Sequence, residues 1–160
     1  MRPERVFVGL GANLGDAQST VLNAIQDLSR LPETALVASS ALYRSSPVQA
    51  LGPDYINAVA ELRTDLSPLN LLRQLLALES AYGRQRPFHH APRTLDLDLL
   101  LMGAQQVASA ELTVPHPRLH QRAFVLLPLL ALAPELDHPT LGPLQAYLPA
   151  VADQAIERLP

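Results

Sequence analysis

Two aspartates separated by one residue are the feature of this sequence best suited to chemistry. They lie in PRTLDLDLLLMG, residues 92–103, where Asp96 and Asp98 interrupt a leucine-rich run. Side chains alternate along a strand, so both carboxylates are expected on one face about 7 Å apart. Such a pair is repulsive unless a cation lies between its members, and oxygen ligands suit Mg²⁺ or Mn²⁺. The spacing predicts a divalent metal site, with a solvated strand face as the alternative.

An arginine-rich segment, GRQRPFHHAPR at residues 83–93, comes directly before this strand. Arginine forks match phosphate oxygens in a bidentate manner, so basic side chains next to paired carboxylates indicate a triphosphate bound together with magnesium. The alternative is a solvated basic loop balanced by nearby acids such as Glu79. The residues concerned, within the segment and downstream of it, are Arg84, Arg86, His89, His90, Arg93, His116, Arg118 and Arg122.

Tyr55 and Asn57 are expected to point the same way from a predicted strand, because a single residue separates them. A tyrosine ring can stack on a flat heterocycle, and a carboxamide can both donate to and accept from its edge. These two residues therefore indicate a heterocycle site. The alternative is an ordinary half-buried pair without a ligand.

Two further motifs point to other functions. GLGANLG, residues 9–15, resembles a dinucleotide fingerprint, but its spacing is wrong and no ribose-binding acid follows the second strand. We interpret its glycines as a tight strand-to-helix turn. His116 and His120 have the spacing of a helical zinc site, but the glutamate of such sites is missing and Pro117 favours a loop. Zinc binding is a minor alternative.

Composition excludes several classes of protein. The 160 residues contain no cysteine, and all 12 basic residues are arginines, which rules out thiolate chemistry, lysine Schiff bases and lysine-based phosphate loops. The net charge of −3 and scattered basic residues argue against a nucleic-acid surface. No apolar run is long enough to span a membrane, and no signal peptide opens the chain. We expect one domain, residues 1–160, in a cytoplasmic monomer.

The order of the elements predicts an α+β fold. Hydrophobic periodicity and turn residues predict a strand, a helix capped by Asp16, two strands, a helix capped by Ser67, and the strand that contains the aspartates. This order fits a ferredoxin-like βαββαβ core with a mostly antiparallel sheet, helices on one face and added C-terminal elements. The other face then needs a cover or a ligand, and an apolar helix over residues 121–133 is available as a cover. The predicted strands span residues 5–10, 34–46 and 54–63 and the segment after residue 93 that contains the aspartates.

Six segments together resemble the 6-hydroxymethyl-7,8-dihydropterin pyrophosphokinase family of folate biosynthesis. They are VGLGANLGD, SSALYRSSPV, DYINAVAEL, LLALESAYGRQR, APRTLDLDLLLMG and LTVPHPRLHQRAFVLLPL, and they cover nearly the whole chain. The resemblance implies a ferredoxin-like enzyme that binds ATP, 6-hydroxymethyl-7,8-dihydropterin and two Mg²⁺ ions. It also implies the reaction: pyrophosphate passes from ATP to the pterin's hydroxymethyl group, and AMP is released.

The same resemblance implies roles for individual residues. Asp96 and Asp98 match the metal ligands, and Arg84 and Arg93 match catalytic positions over the triphosphate. The positions that match the pterin site are Ser45, Val48, Tyr55, Asn57 and Phe124. The positions that match the ATP site are Glu79, Arg84, Arg93, His116 and Arg122. The competing functions are a non-catalytic ferredoxin-like module that binds a small ligand, and another magnesium-dependent phosphatase or nucleotidyltransferase.

Overall fold

A six-stranded antiparallel sheet is the centre of the fold, in a computed structural model that describes residues 3–46, 53–83 and 94–160. The strands are β1 (Glu4–Ala12), β2 (Thr34–Ser39), β3 (Tyr43–Ser45), β4 (Tyr55–Thr64), β5 (Asp96–Met102), β6 (Val107–Ala108), β7 (Thr113–Val114), β8 (Asp137–His138), β9 (Gly142–Pro143) and β10 (Ile156–Arg158). The α-helices are α1 (Ala17–Leu28), α2 (Pro68–Tyr82) and α3 (Ala123–Leu132). β6–β7 and β8–β9 form two small separate hairpins.

The sheet order confirms the ferredoxin-like prediction. β1 lies between β4 and β5 and is antiparallel to both, and β4 pairs on its other side with β2 and β3. In terms of the βαββαβ core, the strand order is fourth, first, third, second. β10 extends the sheet by pairing with β3.

The second strand of the core differs from its prediction, because the segment 34–46 is not continuous. The pairing register shifts between Leu36 and Ala38, and β2 ends at Ser39 before β3 begins at Tyr43. In the gap, the Ser40 backbone N–H donates to the Val59 carbonyl, and the Ser40 hydroxyl accepts from the Val59 N–H. The two halves thus pair with opposite ends of β4.

Helices α1 and α2 begin where their caps predict. The Asp16 carboxylate accepts a hydrogen bond of 3.1 Å from the Ser19 N–H, and the Ser67 hydroxyl accepts one of 3.2 Å from the Asn70 N–H. Both helices pack on the sheet face that carries Val6, Val8 and Leu10 of β1. The shared core on this face leaves the opposite face of the sheet to be covered by other elements.

Helix α3 covers part of that opposite face. It begins at Ala123, after a 3₁₀ turn at Leu119–Gln121, and it continues through the buried Pro128. Its side chains form a second core with Phe7 of β1 and Val59 of β4. No helix within the described residues is both long and apolar enough to cross a membrane.

Candidate active site

The open part of the second sheet face has a floor made by two glycines. Gly11 lies between Asn57 of β4 and Asp96 of β5, and Gly9 lies between Val59 and Asp98. Since glycine has no side chain, the neighbouring side chains stand around a cleft instead of closing over a packed surface. The sheet register therefore places a carboxylate on one side of this floor and an amide on the other.

The interpretation of these glycines as a turn is wrong for Gly9 and Gly11. β1 extends to Ala12, so both are strand residues, and Gly15 is the one that turns the chain towards α1 with a positive φ of 57°. The strand prediction ended too early because glycine is usually read as a strand terminator. Here the two glycines form the floor of the cleft.

Asp96 and Asp98 share one face, as their spacing predicts. Both are half-buried, while Leu97 and Leu99 between and after them lie in the core against the helices. The β1–β5 register then shifts at Leu100, so that Leu100 and Leu101 both reach the second core. This bulge lets one strand change from an open cleft face to a face covered by α3.

Glu79 reaches the edge strand from α2. Its carboxylate accepts a hydrogen bond of 2.7 Å from the backbone N–H of Leu97, the residue between the two aspartates. β5 is the last strand of the sheet on this side, so the bond satisfies a donor that no further strand could pair. Glu79 therefore supports the backbone of the carboxylate pair from the face opposite the cleft.

The other side of the cleft is a polar wall. Asn57 and Ser45 are only 4% and 6% exposed, and the Ser45 hydroxyl donates a bond of 2.7 Å to Asn57 Oδ1. The Asn57 Nδ2 lies over Gly11, where an added Cβ would stand 3.1 Å away. Tyr55, which precedes Asn57 on β4 and lies opposite Ser45 of β3, also lines the cleft, as predicted from the alternation. The wall offers an amide edge next to an aromatic ring.

The third wall comes from the start of α3. Arg122 and Phe124 both line the cleft, and the Arg122 guanidinium carbon lies 5.5 Å from the centre of the Phe124 ring. A cationic fork and an aromatic ring thus face the carboxylate pair and the polar wall together.

His116 lies beyond the cleft, in the loop after β7. Burial lowers the pKa of its imidazole; the charge of Asp98 opposes this shift, and Arg122 and Arg118 add to it. The ring is therefore neutral at pH 7, and its Nδ1 accepts a bond of 3.1 Å from the Arg118 N–H. His116 lines a neighbouring cavity of about 370 Å³ and interacts electrostatically with Asp98.

The zinc alternative gains no support from the described residues. Within that part of the chain, no three histidine, aspartate or glutamate side chains are grouped so that they could hold a metal ion. The ring of His120 packs edge-on against Tyr147, with centroids 5.1 Å apart. His120 therefore belongs to the packing around the second core.

The cleft has a volume of about 640 Å³ and brings together eight of the predicted residues: Ser45, Tyr55, Asn57, Asp96, Asp98, Arg118, Arg122 and Phe124. Glu79 and His116 lie behind and beside it. Val48, Arg84 and Arg93 fall outside the described residues. Four residues that were not among the predicted site residues also line the cleft: Gly9, Gly11, Gln121 and Gln154. Glycines two residues apart in a strand were an available signal, whereas nothing in the sequence marked Gln154.

Fold and cleft together define an α+β protein of the ferredoxin-like class with an acidic pair, two arginines and two aromatic rings at an open sheet face. A family model described as 7,8-dihydro-6-hydroxymethylpterin-pyrophosphokinase matches residues 7–134. The chain belongs to this family.

Named relatives agree with this assignment. A 2-amino-4-hydroxy-6-hydroxymethyldihydropteridine pyrophosphokinase from Pseudomonas aeruginosa is 47% identical over 158 residues, covering 98% of each chain. The protein of the same name from Haemophilus influenzae is 38% identical over 154 residues, covering 96% of each chain. The chain therefore matches both relatives over almost their full length.

Solved structures with the same fold are parts of larger proteins. A crystal structure of HPPK-DHPS in complex with substrates superposes with a TM-score of 0.75 at 12% identity, covering 94% of this chain and 43% of that one. A Plasmodium falciparum HPPK-DHPS A437G structure gives 0.73 at 13% identity, covering 91% and 45%. At this identity the likeness shows the fold.

Proposed function

We propose that the protein transfers pyrophosphate from ATP to the hydroxymethyl group of 6-hydroxymethyl-7,8-dihydropterin, giving AMP and the pterin diphosphate in folate biosynthesis. The observation that carries this proposal is the cleft itself. Asp96 and Asp98 stand across the Gly9–Gly11 floor from the Ser45–Asn57 pair, so a carboxylate pair suited to metal ions and a polar wall suited to a heterocycle edge line one cavity. The family and the names of the relatives support the same reaction.

The pterin is proposed to bind at the polar wall. Its flat ring would lie between the Tyr55 and Phe124 rings, and its polar edge would meet the Asn57 amide. The 2.7 Å bond from Ser45 fixes one end of that amide, so less conformational freedom is lost when the ligand binds. Val48 is proposed to complete this site.

The donor set at Asp96 and Asp98 fits magnesium. Two carboxylates share a strand face, and within the described residues they are not part of any group of three histidine, aspartate or glutamate side chains that could hold a metal ion. Magnesium is commonly held by one or two carboxylates, with water and phosphate oxygens as the remaining ligands. We propose two Mg²⁺ ions, which when bound would neutralise the charges of the triphosphate and of the carboxylates.

ATP is proposed to bind along the β5 side of the cleft. Arg122 offers a bidentate fork for phosphate oxygens, and His116 offers a neutral ring beside Asp98. Glu79 holds the β5 backbone between the two aspartates. Arg84 and Arg93 are proposed to act on the triphosphate as charge develops on the leaving group.

In the proposed reaction, the hydroxymethyl oxygen attacks the β-phosphorus of ATP. The bond between that phosphorus and the oxygen that bridges it to the α-phosphorus breaks, and AMP leaves with this oxygen. The hydroxyl proton passes to solvent. Transfers of this kind depend mainly on positioning and charge neutralisation. The rigid sheet supplies the positioning, because the pterin wall and the carboxylate pair sit on strands joined through β1.

We also propose that residues 1–160 act as a single-domain monomer in the cytoplasm, without a nucleic-acid or membrane partner. The two hydrophobic cores pack on opposite faces of one sheet, one on each face, which supports a single folding unit. Light scattering at micromolar concentration tests the monomer, and one cooperative unfolding transition seen by two probes tests the single unit.

Identification of the released nucleotide tests the reaction. With ATP, magnesium and the hydroxymethyl dihydropterin, pyrophosphoryl transfer gives AMP, simple kinase action gives ADP, and nucleotidyl transfer gives free pyrophosphate. D96N and D98N are expected to lose magnesium-dependent turnover by at least about 100-fold, with unfolding midpoints close to wild type. D137N is the matched control, because Asp137 is an exposed carboxylate outside the cleft. AMP release by D96N at the wild-type rate would refute the metal assignment.

A further inference from the structure

The backbone of Arg122 is a joint between two helical segments. It follows the 3₁₀ turn Leu119–Gln121 and precedes α3, and it is extended, with φ −123° and ψ 116°. No side chain at this position caps α3, although the first N–H groups of a helix have no partner within the helix. The conformation of the Arg122 backbone matters, because the Arg122 guanidinium lines the cleft. A partner from another part of the chain is needed to fix it.

Gln154, which is distant in sequence, makes the hydrogen bonds that fix this backbone. Its Oε1 accepts a bond of 2.8 Å from the Ala123 N–H, and its Nε2 donates one of 2.9 Å to the Gln121 carbonyl. The two bonds lie on either side of Arg122, as the backbone hydrogen bonds of a neighbouring strand would. Although Gln154 is exposed, both ends of its carboxamide are occupied by the backbone on either side of one residue.

The C-terminal segment also reaches the other wall of the cleft. Two residues after Gln154, Ile156 of β10 pairs with Ser45 of β3. Residues 154–156 therefore connect the start of α3 with the strand that carries Ser45. The family model ends at residue 134, so this connection lies outside the matched region.

The structure assigns Gln154 as a positioning residue that keeps Arg122 extended and so holds its guanidinium, together with the Phe124 ring, in the cleft wall. The inference rests on the proposed function, in which Arg122 meets the phosphates of ATP. Gln154 acts through the backbone of residues 121–123 and needs no contact with substrate. Its loss should affect the binding of nucleotide more than the folding of the protein.

Substitution by methionine, which keeps the length of glutamine but makes neither bond, tests this assignment. Q154M is expected to lower kcat/KM for ATP about threefold to tenfold, the usual effect of one or two neutral hydrogen bonds. Q145M is the matched control, because Gln145 bonds the Pro134 carbonyl at 2.8 Å in the same C-terminal segment but does not line the cleft. Q145M should match wild type.

A double-mutant cycle separates positioning from general support of the fold. If Gln154 acts through Arg122, Q154M should cause no further loss in an R122A background. An equal loss in both backgrounds, or a Q154M variant no different from Q145M, would overturn the assignment. The dissociation constant of magnesium–ATP, measured by calorimetry, gives the same comparison without turnover. Absence of AMP from the wild type would defeat the proposed function alone, and the binding cycle would still decide on Gln154.

Discussion

The Ser45 hydroxyl and the Asn57 amide form a buried hydrogen bond of 2.7 Å between neighbouring strands, with Ser45 as the donor. The bond occupies Oδ1 and directs Nδ2 towards Gly11 and the cleft. An amide that lacked this partner would lose its fixed orientation. The proposed recognition of a heterocycle edge depends on that orientation.

Removal of the Ser45 hydroxyl should therefore weaken pterin binding. We expect S45A to raise KM for the pterin about threefold to tenfold, since a buried acceptor loses its donor, while KM for ATP stays unchanged. S45T keeps a hydroxyl and should restore most of the affinity. Steady-state kinetics with each substrate varied in turn measures both constants. An equal rise of the two constants in S45A would contradict the role of the Ser45–Asn57 pair.

The two floor glycines should respond differently to an added methyl group. A Cβ at Gly11 would lie 3.1 Å from Asn57 Nδ2, whereas one at Gly9 would lie 3.5 Å from Leu100, an ordinary contact. G11A must displace the amide, so we expect KM for the pterin to rise at least about fivefold, in keeping with overpacking costs of about 1–3 kcal/mol. G9A should change this constant less. Comparable pterin constants in the two variants would contradict the prediction.

Local signals made much of this fold predictable. Asp16 and Ser67 cap their helices because a side-chain oxygen before an apolar helical repeat has one favourable use. The alternation in DLDLL likewise places Asp96 and Asp98 on one face, because a strand allows no other arrangement. These outcomes depend on neighbours within a few residues, and the sequence shows such neighbours directly.

The remaining features depend on partners that are distant in sequence. The shift at Leu100 is set by how β5 fits against β1 and α3, and no residue type marks it. Gln154 reaches residues 121–123 from more than 30 positions away, which periodicity cannot show. Gly9 and Gly11 were misread because glycine in a strand and glycine in a turn look alike until the strand's partners are known. The side chains that line the cleft were thus easier to predict from the sequence than the contacts that support them.

Arg5 and Glu61 form a partly buried ion pair at the end of the sheet away from the cleft lining. The Arg5 Nε donates to Glu61 Oε2 at 3.0 Å, and this hydrogen bond raises the pKa of the Arg5 guanidinium. Glu61 is 7% exposed, so R5M would leave a buried carboxylate without this partner. Because the Arg5 side chain is 32% exposed, we expect a loss of about 1–2 kcal/mol, below the roughly 3–5 kcal/mol of a fully buried pair.

Urea unfolding of R5M, E61Q and the double variant measures this coupling. E61Q should cost less than R5M, because a neutral amide is cheaper to bury than an unpaired charge. The double variant should recover part of the R5M loss. Neither residue lines the cleft, so kcat should stay at the wild-type value in all three proteins. Strictly additive losses in unfolding free energy would show that the pair is not coupled.

His138 should make the stability of the protein depend on pH. It is 9% exposed, and its Nδ1 accepts hydrogen bonds of 3.1 Å from the N–H groups of Thr140 and Leu141. Burial lowers the pKa of this imidazole, and the nearby His120 lowers it further. A proton on Nδ1 would also remove the acceptor of these two hydrogen bonds and would point towards the two N–H groups. The folded protein therefore resists protonation of His138 more than the unfolded chain does.

The direction of the pH effect follows from this difference. Between the lowered pKa of the folded state and the ordinary value of 6.5, the unfolded chain binds more protons, so the free energy of unfolding falls as pH decreases. The full stability is present above pH 6.5. H138N supplies a side-chain oxygen in place of Nδ1 and cannot titrate. We expect it to lose less stability than wild type between pH 8 and 5.5, by at most about 1.4 kcal/mol.

Urea unfolding at the two pH values measures this difference. His116 also has a lowered pKa through burial, so H138N should keep part of the pH dependence. H138A is the informative second variant, because it removes the titration together with the acceptor. It should be less stable than H138N at pH 8 yet lose no more stability on acidification. If wild type and H138N lose the same free energy of unfolding between these pH values, the buried imidazole is not the titrating group.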